Sequence, residues 1–230
     1  MQRHVIIVAG GKGLRMGADI PKQFLPIQGK PLLMHTLETF HSFDAALSLT
    51  LVLPPAQQDY WRQLCREHDF HIPHQIADGG ETRFQSVSNG LAALSEATDD
   101  ALVAVHDGAR PLITAEGIRR CAEAARETGA AACAHPVVDT LKRADEHDCT
   151  LPEVVSRERL WGMETPQIFR LPLLREAYKL VKARGLAVTD EVSAVEAAGV
   201  QTHLVQVGAN MKITLPGDLE LAELIWKHRA

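Results

Sequence analysis

The stretch VAGGKGLRMGADIPKQ, residues 8–23, decides the reading of this chain. Glycines crowd its first half, and Arg15, Gly17, Pro21 and Lys22 follow. A short β-branched apolar run ending at Ala9 leads into it, which reads as a buried strand over residues 4–10. Glycines let backbone N–H groups approach a ligand closely, and the flanking cations neutralise negative charge. The loop is therefore expected to wrap an anion. A Walker phosphate loop requires G-x-x-x-x-G-K-[ST], which is not present. A dinucleotide fingerprint requires a third glycine where Met16 stands, and the acidic residue expected on the second strand is missing, since that strand ends in LVLPP. A loop for a nucleoside triphosphate remains, with a plain tight turn as the alternative.

Outward from this loop, apolar runs alternate with helical patterns. Strands are expected at 47–55 and 101–111, and helices at 30–40, 57–70, 83–97 and 115–129. Pro31 suits a first helical turn, and Gly129 a helix end. The stretch 130–161 holds two extended segments around a polar, acidic middle, ADEHDC, and reads as a hairpin or arm. Beyond it lie helices at 172–184 and 190–198, a strand at 202–215 and a last helix at 218–229. The alternation predicts an α/β fold, a Rossmann-like, mostly parallel sheet with helices on both faces and an extended β-hairpin arm. One domain is expected over 1–230, with the arm at about 136–160. Ligands of such sheets sit beyond the carboxyl ends of the strands, so the glycine loop and HDGAR (106–110) should meet in one crevice.

The composition sets bounds. The 230 residues are 46% hydrophobic and 23% charged, with a net charge of −5. Bulk attraction to nucleic acid or to an anionic membrane is not expected, so an anion site must be a local basic cluster. No run approaches the ~18 apolar residues of a membrane span, and the N-terminal apolar stretch is too short for a signal peptide. Cys65, Cys121, Cys133 and Cys149 form no C-x-x-C pair and read as reduced thiols, implying a cytoplasmic protein. Glu67, His68, His71 and His74 resemble metal spacing, but a proline interrupts them and a solvated turn is the better reading.

Further segments carry a family resemblance. GGETRFQSV (79–87), VHDGARP (105–111), PVVDTLKR (136–143), TPQIF (165–169), TDEVSAVE (189–196) and MKITLPGDL (211–219) follow the glycine loop in that order. Together they resemble the 2-C-methyl-D-erythritol 4-phosphate cytidylyltransferases, within the sugar-phosphate nucleotidyltransferases. The resemblance spans Val5 to about Glu220. It departs at Gly10 and Gly108, where the family often has alanine.

The resemblance implies transfer of CMP from CTP to 2-C-methyl-D-erythritol 4-phosphate with release of pyrophosphate, in non-mevalonate isoprenoid biosynthesis. The nucleophile would be a phosphate oxygen, already largely ionised because its second pKa is near ~6. No general base is required, and catalysis reduces to positioning and charge stabilisation. Arg15 and Lys22 are the candidates for stabilising charge at the α-phosphate; a solvated lysine is the alternative for Lys22. Asp107, at a strand end, is the candidate ligand for Mg²⁺, with a turn cap as the alternative. His106 reads as structural, because no proton transfer needs it. Ala9, Gly10, Gly11, Gly13, Gly80 and Ser86 form the expected nucleotide-binding set, although Ser86 also suits a helix N-terminus. The resemblance further implies that Arg110, Thr140, Thr165 and Thr189 bind the polyol phosphate, while Arg157 and Lys212 position it for attack. Thr189 reads equally as a helix cap. The arm would reach across a homodimer, so that Thr140 and Arg157 serve the neighbouring subunit. The competing readings are a cytidylyltransferase for another polyol phosphate such as ribitol 5-phosphate, a non-catalytic nucleotide-binding domain and, most distantly, a dehydrogenase.

Overall fold

The computed structural model describes residues 2–11, 20–144, 150 and 152–229. Gly13 and Arg15 lie outside the described residues, as does Cys149. The run before the glycine loop forms β1 (Arg3–Val8) at the heart of the main sheet. Its side chains alternate between the two faces. Val5 and Ile7 join one apolar cluster and Ile6 the other, as the two-residue strand period requires.

Two short strands, β2 (Pro26–Ile27) and β3 (Lys30–Pro31), pair beside the first long helix. The main sheet is completed by β4 (Ser48–Leu53), β5 (Gln75–Asp78), β6 (Leu102–Asp107), β7 (Ala130–Pro136), β10 (Trp161–Arg170) and β11 (His203–Gln206). Their order is β11-β7-β10-β6-β1-β4-β5. β10 is antiparallel to both neighbours, and every other pairing is parallel. The strands β8 (Leu141–Arg143) and β9 (Glu153–Val155) pair antiparallel as a third, two-stranded sheet.

Helices cover both faces. On one, α1 (Leu32–Phe43), α2 (Pro55–Glu67) and α4 (Ala115–Thr128) bury Leu37, Trp61 and Cys121. On the other, α3 (Arg83–Ala92), α5 (Leu171–Arg184) and α6 (Glu191–Ala197) bury Val87, Leu174 and Val195. The last helix, α7 (Pro216–Arg229), closes a smaller cluster through Ala222, against Ile27, Leu32 and Ile213. Helix ends follow local chemistry. Thr114 caps α4 by accepting from Gly117 N at 3.1 Å, and Gly129 ends it at φ +89°, a conformation glycine adopts without strain.

The doubly covered, mostly parallel sheet matches the sequence expectation, with four local differences. Ala130–Ala134 is the buried part of a core strand and not of the arm, which begins after Pro136. The strand expected at 202–215 stops at Gln206, leaving 207–215 irregular. α3 ends at Ala92, although Leu94 beyond it is still buried. Pro31 sits at the N-cap of α1, one step before its first turn.

Candidate active site

Four strand ends, those of β1, β4, β5 and β6, are tied together. The Ala9 N–H donates to Val52 O at 3.0 Å, Gly79 N–H to Leu53 O at 2.7 Å and Gly108 N–H to Val8 O at 2.9 Å. The loops leaving β1, β5 and β6 therefore open into one cavity of about 250 Å³ at the carboxyl edge of the sheet. Ala9, Gly10 and Gly11 form one wall, Gly80 to Arg83 and Ser86 another, and Lys22, Asp107 and Lys212 close it. This is the crevice expected for the fold.

A Cβ placed on Gly10 would meet only ordinary contacts near 3.9 Å, so the protein itself does not demand glycine there. Gly79 differs, because a Cβ there would lie 3.0 Å from the backbone of Pro54. The hydroxyl of Ser86 accepts from Gly80 N at 3.0 Å and donates to Thr82 O at 2.9 Å. It pins the double-glycine turn at the start of α3. Gln23 does the same for the first loop, its Nε2 donating to Ala9 O at 2.8 Å and to Gln57 Oε1 at 2.7 Å.

Asp107 is the electrostatic centre. Lys212 Nζ lies 2.9 Å from its Oδ2, Arg110 Nε 3.3 Å from the same oxygen and Arg83 Nη2 3.5 Å from Oδ1. Burial alone would push the carboxyl up, but Lys212, then Arg83 and Arg110, hold it well below the usual carboxylate range. Arg83 is anchored from behind by Glu191, which also accepts from the Tyr178 hydroxyl at 3.0 Å. Burial disfavours a charged Arg83, yet Glu191 and Asp107 more than offset it and keep the guanidinium charged. Lys22 reaches the same cavity from a 3₁₀ turn (Lys22–Phe24), and its Nζ donates to Ile213 O at 2.9 Å.

His106 is fully buried, and both its ring nitrogens are engaged. Burial pushes its pKa down to about 4, so the ring is neutral. Nε2 donates to Arg110 O and Nδ1 accepts from the Thr165 hydroxyl, both at 3.0 Å. Thr165 in turn accepts from Asp107 N–H at 3.0 Å and is only 3% exposed. The residue expected to bind substrate therefore uses its hydroxyl to fix Asp107.

The remaining candidates are not gathered at the cavity. Thr189 is exposed just before α6, and the helix is capped by Asp190, which forms a capping box with Ser193. Thr140 and Arg157 are exposed on the arm, where the Arg157 guanidinium donates to Val138 O. Three contributors escaped the sequence reading: Gln23, Glu191 and Asn210. Gln23 and Glu191 lie inside PKQF and TDEVSAVE, and Asn210 immediately precedes MKITLPGDL, but nothing in their spacing announces burial. Arg83, noted only as part of GGETRFQSV, proves central. In the segment around His71 and His74, the two rings pair with Asp69 and with Trp61 and Ile72, and among the described residues no group of three or more His, Cys, Asp and Glu side chains is placed to hold an ion.

The arrangement can bind a polyanion between glycine backbone and lysine or arginine side chains, with one ionised carboxylate among them. It holds no poised nucleophile–base pair among the described residues.

Comparison with known proteins agrees with this geometry. The family model described as IspD, 2-C-methyl-D-erythritol 4-phosphate cytidylyltransferase, matches residues 3–228. A protein of that name from Bacteroides thetaiotaomicron is 50% identical over 226 residues, covering 98% of this chain and 100% of the relative. A chloroplastic one from Oryza sativa is 38% identical, covering 98% of this chain and 74% of the relative. Among solved structures, the Thermus thermophilus cytidylyltransferase of the same name superposes with a TM-score of 0.80 at 34% identity, covering 99% of this chain and 100% of the other. The Francisella tularensis structure gives 0.83 at 31% identity, covering 97% and 99%.

Proposed function

This chain belongs to the 2-C-methyl-D-erythritol 4-phosphate cytidylyltransferase family and is a nucleotidyltransferase of isoprenoid biosynthesis, and we propose that it works by charge stabilisation alone, through the cations around Asp107. It transfers CMP from CTP to 2-C-methyl-D-erythritol 4-phosphate. A phosphate oxygen of the acceptor forms a bond to the α-phosphorus of CTP, and the bond to the bridging oxygen breaks to release pyrophosphate. Both partners are anions before they meet, so the barrier is dominated by repulsion and by charge gathering at the α-phosphoryl group.

The observation that carries this reading is the cavity itself, which gathers glycine backbone with Lys22, Arg83 and Lys212 in one lining. Gly10, Gly11, Gly13 and Gly80 admit the triphosphate close to the backbone. Lys22, with Arg15 from the same loop, stabilises the α-phosphoryl charge. Lys212 and Arg110, both on Asp107, hold the acceptor phosphate. Thr189 lends a hydroxyl to the polyol.

Asp107 suits a divalent cation delivered with the triphosphate. It is a hard carboxylate on the cavity wall, and Mg²⁺ characteristically takes one or two carboxylates together with substrate phosphates. When bound, the ion screens the triphosphate and neutralises part of the developing charge.

Thr140 and Arg157 support a homodimer with exchanged arms. Both stand away from the cavity on a hairpin whose Val138 and Val154 are 75% and 74% exposed. Pairing arms across two copies buries those valines and carries Arg157 towards the partner's site. No helix among the described residues is long and apolar enough to cross a membrane, and Cys65, Cys121 and Cys133 are free thiols, which fits a reducing, cytoplasmic setting.

The test is pyrophosphate release with Mg²⁺ and CTP, comparing 2-C-methyl-D-erythritol 4-phosphate with ribitol 5-phosphate. Release with the first alone is expected. Release with ribitol 5-phosphate alone overturns the assignment of the polyol, and metal-independent release overturns the role of Asp107.

A further inference from the structure

We infer that Glu164 and Asn210, both buried and neither lining the cavity, are positioning residues that set the acceptor-phosphate side of the site. The inference rests on the reading of Arg110 and Lys212 given above. Residues 207–215 have no regular secondary structure, lying between β11 and α7. Such a segment holds a fixed path only where side chains anchor it. Within four consecutive positions it meets two cations of the site and supplies a third. Asn210 O accepts from Arg110 Nη1 at 2.8 Å, Lys212 Nζ reaches Asp107 at 2.9 Å, and Ile213 O accepts from Lys22 Nζ at 2.9 Å.

The anchor is Asn210, only 2% exposed. Its Nδ2 donates to Glu164 Oε2 at 2.8 Å and to Thr165 O at 2.7 Å. Two acceptors around one amide nitrogen fix the orientation of the side chain, and with it the carbonyl that aims Arg110. Glu164 is held in turn. Its carboxylate is buried, and Oε1 pairs with His135 Nδ1 at 2.7 Å. Gly162, opposite His135 on β10, leaves room for that ring, since a Cβ there would lie 2.6 Å from it. A carboxylate is costly to bury away from water unless it is bonded on both oxygens, and here both are used. The chain His135–Glu164–Asn210–Arg110 thus runs from the base of the arm to the acceptor side of Asp107. It bypasses the glycine walls that face the nucleotide.

Steady-state kinetics on the full-length enzyme separate this role from general damage. Glu164→Leu and Asn210→Leu should each raise KM for the polyol phosphate on the order of tenfold, as expected for a lost buried hydrogen bond. CTP affinity, measured by calorimetry without acceptor, should stay at the parent value. Glu164→Gln, which can still accept from Asn210, should behave like the parent. Arg110→Gln and Lys212→Gln serve as controls and should raise the same KM. The inference is overturned if acceptor KM is unchanged in both leucine variants, or if CTP affinity falls in step with it. If Asn210→Leu does not fold, Glu164→Leu against Glu164→Gln decides alone. If the two controls leave acceptor KM unchanged, the reading of the acceptor site itself falls, and this inference with it.

Discussion

The ammonium of Lys212 lies 2.9 Å from the carboxylate of Asp107, joining the irregular segment before the last helix to the end of a central strand. Arg83 and Arg110 approach the same carboxylate, so one buried anion organises three cations. Removing it leaves them to repel one another. Asp107→Asn is expected to lower stability on the order of 3 kcal/mol in urea denaturation. It should also reduce kcat at least about 100-fold. A variant as stable as its parent would show that the cations do not depend on this carboxylate.

Glu191 plays the matching part behind Arg83. Its side chain is 1% exposed and serves both Arg83 and Tyr178. Glu191→Ala leaves the Arg83 guanidinium with Asp107 alone and a buried phenol without its acceptor, with an expected loss of about 3 kcal/mol. Glu191→Gln keeps an acceptor for Tyr178 and should cost less. Equal denaturation midpoints for the two variants would contradict this account.

His74 gives the fold a pH dependence far from the catalytic cavity. Trp61 Nε1 donates to its Nε2 at 3.0 Å, while Nδ1 donates to Ile72 O at 2.7 Å, so the bonded ring is neutral. Burial lowers its pKa, against a smaller opposing effect of the Ile72 hydrogen bond. The unfolded chain, with a histidine pKa near ~6.5, binds more protons than the folded chain just below that value, so stability falls as pH drops through this window. His4, His35 and His106 are shifted the same way. Melting temperature should therefore fall between about pH 7 and about pH 5. The fall should be shallower in His74→Gln, where the amide can still accept from Trp61. Parallel pH curves for parent and variant would remove His74 from the explanation.

The arm makes a prediction about assembly. Val154→Asp places a charge on a residue that is 74% exposed in the single chain, where it should cost little. If arms are exchanged between copies, the variant sediments as a monomer and loses turnover, while its melting curve changes little. A variant that stays dimeric and active refutes the exchange.

How far the sequence reveals all this depends on the kind of signal. β1, β4 and β6 are short, β-branched and bounded by turns, so their periodicity is legible. β7 reads AAACA, and alanine declares neither strand nor arm, so its place in the core emerges only from pairing with β10 and β11. The glycine loop, Lys22 and Asp107 stand in local patterns that carry their own chemistry. Arg83, Glu191 and Asn210 do not, because their roles arise from contacts between segments far apart in the chain. Thr165 shows the reverse case. Its motif is legible, yet its hydroxyl is committed to Asp107 and His106 rather than displayed to the cavity.

In the proposed chemistry, cations on the cavity wall stabilise the α-phosphoryl charge with no general base. Lys22→Ala tests it most directly, by the rate of pyrophosphate release at saturating CTP, Mg²⁺ and 2-C-methyl-D-erythritol 4-phosphate. The expected result is a folded protein whose kcat is lower by on the order of 10²–10³ at every pH where the acceptor phosphate is ionised. A folded Lys22→Ala enzyme turning over at the parent rate would contradict the account.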